Sequence, residues 1–383
     1  MASIKLKGDT SGELTIQAPS VAGTNTLNLP ASSGTLATTA QASIGMKNRI
    51  INGNMTIDQR NAGASVTPTN GAYTLDRWIY QASQASKVSI QQNAGSVTPP
   101  VGFNNYLGVT SLSAYTVGSA ETFVVSQRIE GFNTSDLGWG TANAKTVTLS
   151  FQVYSSLTGT FSGVFGNSNA TRSYPFTYSV PVANTWTTIS VTVAGDTSGT
   201  WVGSTNGVGI IVYFSLGTGA TLSGTAGTWS SNGYYGATGA TSVVGTSGAT
   251  FYITGVQLEA GTTATDFENL QYGQQLALCQ RYFEIMGSPG STSNSYAVCA
   301  VLNSTTTRGI LWFKTEKRAT PTITVAGTWY ALPQGITASA SFFPANTYNT
   351  GIGQTWSGLT VGQASYLYDG GIGTSRVLIS AEL

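Results

Sequence analysis

The chain has 383 residues, 16 of them basic and 15 acidic, for a formal net charge of +1, and it contains no histidine. Charged residues make up only 8% of it, against roughly 25% in ordinary globular proteins, so Ser, Thr, Asn and Gln must keep the surface wet. Three classes drop out: chemistry built on a histidine base or a histidine-held zinc, binding of nucleic acid, which needs a basic groove, and long-range steering of a charged ligand.

Residues 1–45 begin MASIKLKGDTSG, without the apolar stretch of a secretory leader, and no window of the chain has the length of a membrane span. Synthesis in a cytoplasm, without export by that route, is the expectation. The region continues GELTIQAPSVAGTNTLNLPASSGTLATTA, with isolated Leu and Ile between turn residues. That is too little apolar material for a core, so association with other chains is expected to stabilise it. Residues 46–265 read as the main domain. KTVTLSFQVYSS, TTISVTVAG and GVGIIVYFSLG alternate polar and apolar residues between Gly, Asn and Ser clusters, the pattern of antiparallel strands in a β-sandwich. In LDRWIY the alternation sends Trp78 into the core and leaves Asp76 and Arg77 to pair across strand ends. Within DFENLQYGQQLALCQRY, residues 266–282, Phe267, Leu270, Leu278 and Tyr282 fall at helical spacings behind Asp266 and Glu268. A short linking helix is predicted there, weakened at Gly273. Residues 283–383 open and close on strand-like runs and read as a second, smaller β-sandwich. Cys279 and Cys299 flank a predicted hairpin, and free buried thiols are expected of a protein made in a reducing cytoplasm.

The stretch TWSSNGYYGATGATSVVGTSG, residues 228–248, holds a Trp, two Tyr and no charge. Its Trp229, Tyr234 and Tyr235, together with Trp201 in GTWVGSTNG, either form a binding platform on loops of a rigid scaffold or close one end of the sandwich and touch a neighbouring subunit. Trp329 and Tyr330 in AGTWYALPQG and Trp356 in GQTWSGL are the aromatic candidates of the C-terminal region, set near turns. Hydrolysis of glycosides usually needs two carboxylates about 5–10 Å apart. Asp58, Asp76, Glu121, Glu130, Asp136, Asp196 and Glu259 form no aromatic-flanked pair in the sequence. No enzymatic activity, no cofactor and no metal site is expected, and no D-x-D-x-D run occurs.

From Asn48 the sequence NRIINGNMTIDQRNAGASVTPTNGAYTLDRWIY resembles a module of tail-fibre proteins of tailed bacteriophages. TFYITGVQLEAGTTATDFE, residues 250–268, is similar to the closing strand of that module, a jelly roll like those of carbohydrate-binding modules. LALCQRYFEIM, KRATPTITV and the final ISAEL are similar to the C-terminal region of such fibres, and the N-terminal run from Gly12 to the virion-proximal part of cyanophage-type fibres. The resemblance implies a homotrimeric virion protein on the tail or capsid surface, made in the host cytoplasm. It would be attached to other virion proteins through residues 1–45 and would display its β domains to a host surface polysaccharide, with no nucleic acid bound and no membrane insertion. The composition agrees, since sugars offer C–H faces and hydroxyls, for which flat aromatic rings and neutral amides are the natural partners. The alternative is a capsid-attached fibre or decoration protein that touches only other virion proteins.

Overall fold

Period-two alternation builds the main domain. In Val147–Ser155, the residues Val147, Leu149, Phe151 and Val153 are buried, while Ser150, Gln152 and Tyr154 between them are half-buried on the other face. The computed structural model describes residues 3–7, 11–17, 46–287, 295–327, 329–332, 336–338, 341–355, 357–368 and 375–383. The chain divides into two units, Met1–Ile44 and Gly45–Leu383. In the first, β1 (Ser3–Lys7) and β2 (Glu13–Gln17) form an antiparallel hairpin, with Ser3 opposite Gln17 and Lys7 opposite Glu13.

The second unit begins with β3 (Tyr73–Leu75), β4 (Trp78–Ala82), β5 (Val88–Gln92), β6 (Leu107–Ser111), β7 (Thr122–Glu130), β8 (Val147–Ser155), β9 (Gly159–Gly166), β10 (Ser173–Val180), β11 (Thr187–Val193) and β12 (Val208–Thr218). The two-residue strands β13 (Ser223–Gly224) and β14 (Gly236–Ala237) follow, and then β15 (Thr250–Ala260). They make a six-stranded antiparallel sheet, β10-β9-β12-β7-β4-β3, and a five-stranded one, β11-β8-β15-β6-β5. The two inner faces interlock through aromatic rings. Phe151 of the five-stranded sheet meets Phe214 at 5.1 Å and Tyr178 at 5.0 Å, and Phe251 meets Phe161 at 6.1 Å. Trp78 is fully buried in this core, as the alternation of LDRWIY predicts. Asp76 and Arg77 do not pair with each other. Arg77 takes a φ of 72° in the turn between β3 and β4 and ion-pairs with Glu382, while Asp76 accepts from the backbone N and Nε2 of Gln59, each at 2.7 Å.

The one α-helix among the described residues, α1 (Tyr272–Gln280), is shorter than the sequence predicts. Residues 265–268 are taken up by Gln257, whose Nε2 donates to the Thr265 carbonyl at 3.2 Å and whose Oε1 accepts from Glu268 N at 2.8 Å. The helix starts only at the capping box formed by Gln271 and Gln274. Among the described residues, no helix is long and apolar enough to cross a membrane.

After α1 come β16 (Phe283–Met286), β17 (Ser295–Asn303), β18 (Thr306–Trp312), β19 (Thr322–Ala326), β20 (Trp329–Leu332), β21 (Ile336–Ala338), β22 (Ser341–Phe342), β23 (Asn349–Thr355), β24 (Ala364–Tyr368) and β25 (Arg376–Ser380). They form a three-stranded sheet, β16-β25-β19, and a seven-stranded one, β21-β20-β24-β17-β18-β23-β22. Cys299, Val301, Leu311, Ile352, Leu367, Val377 and Ile379 pack between them. Both cysteines are free and buried, as expected. This region is sewn to the main sandwich by buried polar groups. Arg281 makes two bonds to Glu130, at 3.0 and 2.7 Å, and Tyr282 donates to the same carboxylate. Glu382 reaches Arg60 and Arg77, and Arg128 and Tyr73 donate to the Leu383 carbonyl.

Candidate functional site

The aromatics singled out in the sequence fall in three places. Trp201 and Trp229 meet Trp139 at one end of the main sandwich, with ring centroids 4.8, 5.3 and 5.6 Å apart, all edge to face. Each indole N–H is already used. Trp139 donates to the Lys145 carbonyl, Trp229 to the Ala194 carbonyl, and Trp201 to Asp196 Oδ2 and the Ser198 carbonyl. Asp196 in turn holds Arg172 through two bonds of 2.6 Å. The cleft beside Trp139 and Trp201 has a volume of about 40 Å³, room for little more than a water molecule. The Trp cluster closes the end of the sandwich, with Trp201 and Trp229 left half-buried.

Tyr234 and Tyr235 lie elsewhere, over the outer face of the six-stranded sheet. The Tyr235 ring packs on Tyr213 at 5.2 Å, beside Val124, Val164 and Ile211. Tyr234 lies so close over Gly224 that a Cβ there would come within 2.3 Å of its ring. The Gly- and Tyr-rich segment is a cover: its glycines admit the rings, and its rings lie over the sheet. Trp329 and Tyr330 belong to β20, but their side chains, like the whole of Trp356, lie outside the described residues.

The outer face of the five-stranded sheet is different, and its residues are ones that the sequence reading passes over. Cross-strand pairing sets Gln91 opposite Gly108, Gly108 opposite Tyr252, and Tyr252 opposite Tyr154. Tyr154 and Tyr252 stack at 5.3 Å with their planes 6° apart, Tyr106 stacks on Tyr252 at 5.0 Å, and Trp186 stands against both Tyr106 and Tyr154 at 5.5 Å. Tyr106 and Tyr252 are buried under the connection from β5 to β6, whose Ala94 sits against Gly108. Tyr154 and Trp186 remain half-open to solvent. Burial raises the Tyr106 and Tyr252 hydroxyls above the ordinary phenol value, so they stay neutral.

The next rows along the strands are hydroxyls and amides. Thr254 and Thr188 flank Gln152, Gln257 and Ser190 flank Ser150, and Thr192 pairs with Thr148. Thr188 Oγ1 donates to Gln152 Oε1 at 3.0 Å, which orients that amide with its N–H groups free to meet an acceptor. Thr188, Ser190 and Thr192 are exposed. The face is bounded at the aromatic end by Thr98, whose carbonyl accepts from Trp186 Nε1 at 2.9 Å. At the other end, the carbonyls of Gly261 and Thr262 accept from Thr148 and Thr192. The one carboxylate in these rows, Glu259, is buried, and both its oxygens are occupied by Gln257 and Thr265. The arrangement offers two half-open rings beside a lattice of neutral donors and acceptors. It lacks the second carboxylate that glycoside hydrolysis requires.

A larger hollow of about 300 Å³ lies where α1 meets the start of the unit, with Met46, Ile50, Leu270 and Leu278 among its walls. Most of its surface is apolar, and Asn48, Arg49, Asn133, Glu268 and Gln275 complete the lining.

No protein-family model matches the chain, and no curated protein is similar to it. Among solved structures, the chain is similar to a CBM4 structure at 14% identity, over 55% of this chain and 98% of that one, with a TM-score of 0.29. It is similar to the family 11 carbohydrate-binding module of a cellulosomal cellulase of Clostridium thermocellum at 14% identity, over 53% and 99%, with a TM-score of 0.27. A third similarity is to the enzymatically active domain of tailspike protein 4 of bacteriophage CBA120, at 12% identity over 51% of this chain and 21% of that one, TM-score 0.29. Likeness at this level assigns no ligand, and the chemistry of the face has to be read from its own side chains.

Proposed function

We propose that the chain is a non-catalytic glycan-binding subunit of a bacteriophage fibre, homotrimeric, attached to the virion through residues 1–45 and adsorbing to a host surface polysaccharide. One observation carries the binding part of this reading: the outer face of the five-stranded sheet stays open and pairs the half-exposed rings of Tyr154 and Trp186 with uncharged Gln152, Ser150, Thr188 and Ser190. A pyranose presents C–H groups to a ring and hydroxyls to amides, and this face supplies both without a charge to desolvate. A single such site is weak. Three sites on one fibre raise avidity by a factor on the order of 10² or more without any new contact.

The test is affinity electrophoresis of the full chain through a panel of neutral polysaccharides. Retardation by at least one of them is expected, with Tyr154→Ala and Trp186→Ala weakening it about tenfold or more, about 1.4 kcal/mol. Raising salt from about 0.05 to 0.5 M should leave it unchanged, because no ion pair is screened. Trp229→Ala serves as the control: it opens the sandwich end and lowers stability by about 3 kcal/mol while affinity stays. Retardation lost with Trp229→Ala at intact fold, and kept with Trp186→Ala, would move the site to the Trp cluster.

A further inference from the structure

The seven-stranded sheet of the C-terminal region has apolar residues on both faces of its central strands. The inner set, Cys299, Val301, Leu311 and Leu367, makes the small core. Among the described residues nothing lies over the outer set: Val298 is 74% exposed, Trp312 65%, Ile310 56%, Leu302 51% and Tyr366 41%. The pairing register makes these neighbours. Tyr366 stands opposite Val298, and Cys299 opposite Gly309 brings Val298 opposite Ile310. Toward the sheet edge the chain covers its own face. Phe343 lies on Gly351 and Gly353, where an added Cβ would come within 3.0 and 2.9 Å of the ring, and Arg308 stacks on Phe343 at 4.4 Å. The strip on β24, β17 and β18 is thus left bare, and Arg308, which stands within it opposite Ala300, turns its guanidinium onto Phe343.

We infer that this strip is a self-association face, covered in solution by a second copy of the same chain. Taken at ordinary side-chain areas, the five residues leave roughly 500 Å² of apolar surface open, about the largest patch a monomer keeps. That is well over half of the ~800 Å² that each partner covers in a stable association. The centre of the strip is aliphatic, Val298 and Ile310, without the hydroxyls and amides that mark the glycan face, so its complement is a dry surface. The five residues themselves carry no charge, and strands that are apolar on both sides are those that sheets bury on both sides. The inference rests on the reading of the chain as a homo-oligomer and adds where the copies touch.

Sedimentation equilibrium of the full chain over a micromolar concentration series tests it, with Val298→Asp, Ile310→Asp and the conservative Ile310→Val. Self-association is expected for the wild type and Ile310→Val, and a shift toward monomer of 100-fold or more for either Asp variant, with unchanged far-UV dichroism and retained polysaccharide binding. Asp variants as assembled as the wild type would overturn the face but leave the oligomer standing, whereas a monomeric wild type would overturn both. Should the Asp variants misfold, hydroxyl-radical labelling of wild-type Trp312 and Tyr366 at high and low concentration decides. Protection lost on dilution supports the face, and equal labelling refutes it.

Discussion

Asp76 shows how much one buried residue sets. Burial pushes its carboxyl up from 3.8 to about 6, against the pull of Arg60 and the Gln59 bonds. A folded value above the unfolded one means that the native state holds an extra proton between the two. This contribution to stability is complete below about pH 3.8 and is lost as pH rises through 6, a change of up to ~3 kcal/mol. Asp76→Asn should lower stability by about 1–3 kcal/mol, because one of the two Gln59 donors then faces the amide NH2 group instead of an oxygen. It should also remove that fall between pH 4 and 7, so the gap between variant and wild type narrows as pH rises. Denaturant titrations of the two proteins at several pH values read the difference directly, and parallel curves would refute the assignment. At the same scale the sequence shows its limits: Trp201 and Trp229 draw the eye as exposed loop aromatics, yet their N–H groups are spent on Asp196, Ser198 and Ala194 carbonyl and carboxylate oxygens. No spacing in the sequence announces those partners.

Among the elements, β15 shapes the binding face. Its pairing with β8 slips between Thr254 and Gln257, and Gly255 sits in the slip with a φ of 61°. A Cβ there would come within 2.5 Å of the Phe103 ring. Gly255→Ala should cost about 1–3 kcal/mol and push away the β5–β6 connection that walls the aromatic rows, weakening polysaccharide retardation as well as lowering the denaturation midpoint. A variant of wild-type stability and retardation would contradict this. Much of the element level was legible. The alternation of KTVTLSFQVYSS gives β8 and even its outward set Thr148, Ser150, Gln152 and Tyr154. Which outward face stays open was not legible, because residues 222–237, which follow β12 and cover the six-stranded sheet, carry no alternation that says onto which face they fold. The helix was overextended because Asp266 and Glu268 look like a first turn until Gln257 claims the Asp266 carbonyl and the Glu268 N–H.

In the second unit as a whole, the two β regions are joined through buried charge beside a small apolar cluster of Ile51, Ile57, Cys279 and Tyr282. Burial pushes the Glu130 carboxyl up, but the Arg281 and Tyr282 bonds outweigh it and hold it below the usual carboxylate range. Glu130→Ala leaves Arg281 and Tyr282 without their acceptor and should destabilise by about 3–5 kcal/mol, seen as a lowered unfolding midpoint or as separate unfolding of the C-terminal region. Unchanged cooperative unfolding would show the seam to be dispensable. Two β regions and a helix between them can be read from pattern alone, but the return of Ala381, Glu382 and Leu383 to Arg77, Arg128 and Arg318 cannot, since nothing local marks ISAEL as part of the first sandwich's surface. Binding of labelled full-length protein to permissive host cells should be abolished by periodate treatment of the cells and reduced at least tenfold by Trp186→Ala. Binding indifferent to both, or absent from every permissive host, would contradict glycan binding at the open face.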